Sequence, residues 1–253
     1  MIPVLMLAAL LLMPAGAGAQ TAPAAAPDED FTERFRLQDC RFQTRGRTPY
    51  FILEPGRRLV LEGDDEGTIV TVVITVLRQT RSITLNIGGT PTAVLTRVVE
   101  EREFEDGELV EVSRNFFAIC EPTNDVYYFG ETVAIFEDGQ VVGHQGAWLA
   151  GRDGARPGII MPGTFLLGAR YFQELAPGVA LDQAEHVDMG RTVRTPWRTM
   201  RNCVAVHETS PLEPGAVSRK LYCPGVGLAV DDVVRLVDVI EDVDAGAGED
   251  AAD

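Results

Sequence analysis

The sequence predicts an all-β fold: a large antiparallel β-sheet protein, built as a sandwich or half-barrel. Three observations carry this. Thr68 to Leu77 is nearly unbroken β-branched sequence, with Val70, Val72, Ile74 and Val76 on one face and Thr71, Val73, Thr75 and Leu77 on the other. A strand apolar on both faces belongs to a sheet interior. Asp106-Gly107 and Asp138-Gly139 each stand between extended segments, where Asp-Gly supplies the two φ > 0 residues of a type I′ hairpin turn. Turn residues also recur about every ten positions, the spacing of a sandwich or barrel.

Taken in order, residues 1–19 read as a secretory signal peptide. The apolar run Ile2–Met13 leads to Ala17-Gly18-Ala19, an A-x-A cleavage pattern that places the cut before Gln20. That run is too short to cross ~30 Å of hydrocarbon, so no membrane span is expected. Residues 20–30 are an Ala/Pro linker with acids at its end, too polar and Pro-broken to pack. Residues 31–244 form a single β-rich domain, and 245–253 an acidic tail of Gly, Ala and acids alone. Within the domain, strands are expected near 57–62, 68–78, 92–105, 108–119, 125–137, 140–149, 169–176, 185–194, 201–209, 216–223 and 227–231. Val233, Leu236, Val237 and Ile240 keep a 3.6-residue period, which gives a short C-terminal amphipathic helix or a last strand.

Four cysteines, Cys40, Cys120, Cys203 and Cys223, lie beyond the signal, and an even count in an exported chain reads as two disulfides. Cys203 and Cys223 stand symmetrically about Glu213 in the turn Pro211–Gly215, so a hairpin there sets them directly opposite each other. Cys40 with Cys120 follows by elimination. No CxxC pair and no histidine at ligand spacing supports a metal site. The localisation expected from signal and cysteines together is periplasmic or secreted.

The net charge of −16 argues against nucleic acid, whose phosphates need a basic face, and equally against anionic membrane surfaces. From Asp231 onward the chain carries nine acids against the single Arg235, so the folded body is only mildly acidic. Lys220 is the sole lysine and hence the sole candidate for Schiff-base chemistry. Ser82, Ser113, Ser210 and Ser218 lie outside any G-x-S-x-G, and the H-E-x-x-H, G-x-x-x-x-G-K and G-x-G-x-x-G patterns are absent. His144, His186 and His207 are scattered and read as satisfied or exposed strand histidines. No cofactor is expected, and the oligomeric state is not encoded in any pattern.

The most unusual segment runs from Val126-Tyr127-Tyr128-Phe129-Gly130-Glu131 through Trp148 to the Gly/Pro-rich stretch Gly151–Pro162. It admits two readings. In one, the stretch is a loop that plugs an open end of the β core with Ile159, Ile160 and Met161. In the other, it lids a pocket lined by Tyr128, Trp148 and Met161, with Glu131, Asp153 or Arg156 as polar anchors. Pro49-Tyr50-Phe51…Pro55-Gly56, Val126–Glu131, Gly158-Ile159-Ile160-Met161-Pro162 and Cys223-Pro224-Gly225-Val226-Gly227-Leu228 resemble a family of uncharacterised bacterial secreted β-rich proteins, over about Thr48 to Val230. The resemblance implies a secreted β fold and no established activity, so no catalytic residue is carried over. The functional expectation is an exported, non-enzymatic β-protein that binds a small apolar or amphipathic ligand or serves in the envelope. The alternatives are a carboxylate-based hydrolytic enzyme using acids such as Glu131 and Asp153, and a purely structural interaction module.

Overall fold

The structure is a computed structural model that describes residues 31–242. The predicted signal peptide, linker and acidic tail lie outside the described residues. Alternating apolar positions and tight Gly-containing turns make most of the described chain β-strand. Three short strands open it: β1 (Phe42–Gln43), β2 (Gly46–Arg47) and β3 (Ile52–Leu53). Five longer ones follow as a meander, β4 (Arg58–Asp65), β5 (Thr68–Ile87), β6 (Thr90–Glu105), β7 (Glu108–Cys120) and β8 (Val126–Glu137). A shorter set comprises β9 (Gln140–Gly143), β10 (Trp148–Leu149), β11 (Arg156–Met161), β12 (Arg170–Phe172) and β13 (Glu174–Leu175). The last five are β14 (Gln183–Arg194), β15 (Thr199–Thr209), β16 (Ser218–Cys223), β17 (Gly227–Asp231) and β18 (Val234–Ile240).

The main sheet runs β12-β14-β15-β16-β17-β18-β4-β5-β6-β7-β8-β11-β13, antiparallel throughout. Its two end strands are separated in the chain by Gln173 alone. The segment Arg170–Leu175 therefore pairs with β14 through β12 and with β11 through β13, and the sheet curls into a nearly closed barrel. Closure removes the exposed strand edges that an open sheet presents. At the seam, a Cβ on Gly158 would lie 2.3 Å from the Gln173 carbonyl oxygen, so only glycine lets the strands approach.

The predicted turns hold. Asp106 and Gly107 have φ of 48° and 85°, Asp138 and Gly139 of 50° and 72°. The β15–β16 hairpin pairs Val204 with Tyr222 through Glu208 with Ser218, the register symmetric about Glu213. Cys203 and Cys223 accordingly form a disulfide with a Cα–Cα distance of 4.2 Å. The second disulfide, Cys40–Cys120, spans 5.0 Å between Cα atoms and fastens the N-terminal segment to the end of β7.

Three expectations are corrected. The predicted strand 68–78 continues to Ile87, because the polar stretch Arg78–Arg81 is a register shift rather than a turn, and Ile83 and Leu85 resume the buried face. The outer part of the β5–β6 hairpin brings Ile83, Leu85 and Val94 into one apolar cluster with Phe116 and Phe129. The Gly151–Pro162 stretch is not a plugging loop. A tight turn at Gly151–Gly154 leads into β11, which pairs with β8. Of the two readings of the C-terminal period, the helix is excluded. Val234–Ile240 is a strand beside β4, with Val234 and Leu236 buried, because the partner edge of β4 needs a hydrogen-bonded neighbour.

Candidate functional site

Side chains of alternate residues point into the barrel, and cross-strand register lines them up in rows. One row reads Leu59, Ile74, Glu101, Ser113 and Val133 across β4 to β8. The next reads Val76, Val99, Asn115, Glu131 and Trp148. Opposite them, Val206, Lys220 and Asp231 align across β15 to β17. These walls enclose a partly open cavity with about 110 Å³ available to the centres of water molecules, and about 890 Å³ when the space up to its mouth is included. A single water needs only about 10–15 Å³ of centre volume, so the space suits a small molecule or several waters.

The cavity wall mixes two kinds of lining. Phe51, Ile74, Val76, Val99, Phe117 and Leu228 supply apolar wall, whereas Glu101, Asn115, Gln173, Glu174, Asp182, Glu208 and Lys220 supply polar wall. Lys220 Nζ pairs with Glu208 at 3.0 Å and Asp231 at 3.2 Å. Gln173 Nε2 donates to Glu208 at 2.8 Å, and Ser218 Oγ to Asp231 at 3.2 Å. Burial alone would lower the Lys220 ammonium pKa, but Asp231 and Glu208 raise it well above its ordinary value. Lys220 therefore stays protonated, which removes it as a Schiff-base nucleophile.

The other interior acids are held up by burial. Desolvation first, and neighbouring acids next, push Glu101 to about 8. Burial likewise raises Glu131 to about 8 and Asp182 to about 7, and lifts Glu174 well above its usual value. Glu101 retains some accessible surface, yet that surface faces the cavity it lines, so its carboxyl is deprived of bulk water. His186 goes the other way, lowered by burial to about 4. Its Nδ1–H donates to the Leu166 carbonyl at 3.0 Å, its Nε2 meets the Tyr171 hydroxyl at 2.9 Å, and its ring stacks on Phe165. It is a satisfied core histidine.

These shifts fix the sign of the pH dependence. Between the usual carboxyl value near 4.5 and the folded values near 8, the native state binds more protons than the unfolded chain, so stability falls as pH rises. His186 acts oppositely, but only below its ordinary 6.5. From pH 6.5 to 8.5, urea unfolding should therefore show stability declining by ~1.4 kcal/mol or more per pH unit, the effect of one net proton. A flat or rising profile in that window contradicts the assignment of these buried acids.

Of the six predicted site residues, Tyr128 alone lines the cavity. Its hydroxyl donates to Asn115 Oδ1, and its ring meets the edge of Trp148 at 5.4 Å between centroids. Glu131 and Trp148 are buried next to it. Trp148 is admitted by Gly130, whose Cβ position lies 2.4 Å from the Trp148 carbonyl oxygen and whose φ is +128°. Met161 is buried in the apolar cluster but does not line the cavity, whereas Ile160 does.

Asp153 and Arg156 are not brought to this site. Asp153 sits exposed at the tip of the β10–β11 turn with φ of 49°. Arg156 is exposed, pairs with Glu33 at 3.4 Å and borders a separate surface hollow. Glu131 is thus buried while Asp153 is exposed in a turn, and the structure does not bring them together as an acid–base pair. The sequence reading missed Glu101, Glu174, Asp182 and Glu208. The Glu101-x-Glu103-x-Glu105 alternation was the available signal, but such a row reads by default as a solvent face.

The outward rows also carry charge: Glu100 pairs with Arg102 at 2.8 Å and Arg114 at 3.0 Å across β6 and β7. Among the described residues no helix is long and apolar enough to cross a membrane, and no group of three or more His, Cys, Asp or Glu could hold a metal ion. The fold and site define a nearly closed antiparallel barrel with an internal cavity of mixed apolar and polar lining. No protein-family model, no curated protein and no solved structure matches the chain.

Proposed function

We propose that this chain is an exported, non-enzymatic barrel that holds a small apolar or amphipathic ligand in its interior. The observation that carries this is the interior cavity whose wall is apolar side chains with a limited set of polar ones among them, the make-up of small-molecule sites. Export is supported by the Ile2–Met13 run with Ala17-Gly18-Ala19 and by the two disulfides, which suggest an oxidising compartment. The family resemblance rests on its motifs alone and adds the same address. A non-enzymatic role is favoured because the one lysine is ion-paired and the buried histidine is fully hydrogen-bonded.

The test uses N-phenyl-1-naphthylamine, a probe that fluoresces in apolar surroundings. It should bind in a 1:1 complex. Ile74 lines the cavity, so Ile74→Phe fills space that is open. The variant should weaken probe binding about tenfold or more while costing less than the ~1–3 kcal/mol of overpacking a filled core. Unchanged probe binding in a folded Ile74→Phe protein would refute the interior site.

A further inference from the structure

Three of the acids facing the cavity, Glu101, Glu174 and Asp182, are left without a cation. Lys220 is engaged by Glu208 and Asp231, and Arg57, the other cation in the wall, pairs with Glu241 and donates to the Val226 carbonyl. Glu174 is the telling member. It is 3 % exposed, lines the cavity, and has the Trp148 indole as its hydrogen-bonding neighbour. A carboxyl with two oxygens and one indole neighbour keeps room for further donors from the cavity side. An ammonium group brings three donors and a positive charge, and accepts nothing.

The apolar part of the lining sets the rest of the molecule. Phe51, Ile74 and Phe117 offer hydrocarbon and ring surface but no hydrogen-bonding side chain. We propose that the occupant of the interior site is a cationic amphiphile, with its ammonium seated among Glu101, Glu174 and Asp182 and its hydrocarbon against Phe51, Ile74 and Phe117. This rests on the interior-ligand function above and specifies its chemistry. An anionic head would add a like charge to the acid cluster, and a neutral one could not replace the protons that burial makes these acids keep.

The experiment compares n-octylamine, 1-octanol and octanoate at pH 8 by displacement of the bound naphthylamine probe and by calorimetry. Octylamine should bind about tenfold or more tightly than octanol, the scale of one charge-assisted hydrogen bond, with octanoate weakest. Glu174→Gln preserves shape and removes the carboxyl that can ionise to pair with the ammonium. It should reduce the amine's advantage to within about threefold while leaving octanol binding unchanged. Glu101→Gln serves the same purpose should the first variant fail to fold. Octanol or octanoate binding as tightly as the amine would overturn the cationic assignment and leave the interior-ligand function standing. Absence of binding by all three and by the probe would overturn both.

Discussion

Lys220→Met is expected to destabilise the protein by about 3–5 kcal/mol at pH 7. Lys220 is the only cation pairing Glu208 and Asp231, which are 8 % and 2 % exposed. Methionine fits the stem but leaves both carboxyls buried and unpaired. Their remaining partners, Gln173 and Ser218, donate one hydrogen bond each at 2.8 and 3.2 Å and carry no charge. The loss should shrink at pH 5, where the orphaned acids take up protons instead, and should be partly recovered by adding Glu208→Gln and Asp231→Asn. Urea unfolding of the four proteins at both pH values checks this. A loss below ~1 kcal/mol at pH 7, the scale of an exposed pair, would show that the triad is not desolvated.

Removing the Cys40–Cys120 bond with paired alanines is expected to cost about 4.5 kcal/mol by the chain-entropy treatment of its long loop. That loop spans 80 residues and encloses β1 to β7, so its closure restricts much of the unfolded chain. The bond also holds Phe35 and Phe42 where they pack edge-on against Tyr127, on the face of β8 opposite the cavity. Cys203–Cys223 closes only 20 residues within one hairpin and should contribute less, about 3 kcal/mol. Equilibrium unfolding of each double variant gives the order. A larger loss for the hairpin bond would contradict the loop-length account.

What the sequence disclosed was mostly local. The Asp-Gly turns were legible because few residues other than glycine and Asx tolerate φ > 0. The Cys203–Cys223 pairing was legible because a short hairpin has one symmetric register. Closure of the barrel was not legible, since it depends on Arg170–Leu175 pairing with two strands distant in the chain, and no local pattern encodes that. The strand β11 was hidden by its glycine and proline, which here serve a seam rather than a loop. For the site, the unusual aromatics pointed to Tyr128, which lines the cavity, and to Trp148, which packs against it. The search for polar anchors then stopped at neighbours in sequence, Asp153 and Arg156, although the anchors come from β6, β13 and β15, across the barrel. The hairpin register did place Lys220 opposite Val206 and next to Glu208, but its burial follows only from closure.

The central claim is that a small amphiphile enters the barrel, and methyl NMR tests it most directly. Titration of methyl-labelled protein with n-octylamine should move the resonances of Ile74, Val76, Val99 and Leu228, which line the cavity, saturating at one equivalent. The exposed methyls of Leu95, Val142, Leu166 and Leu167 should stay in place. Shifts confined to those surface methyls, with the cavity methyls unmoved at saturation, would contradict the account.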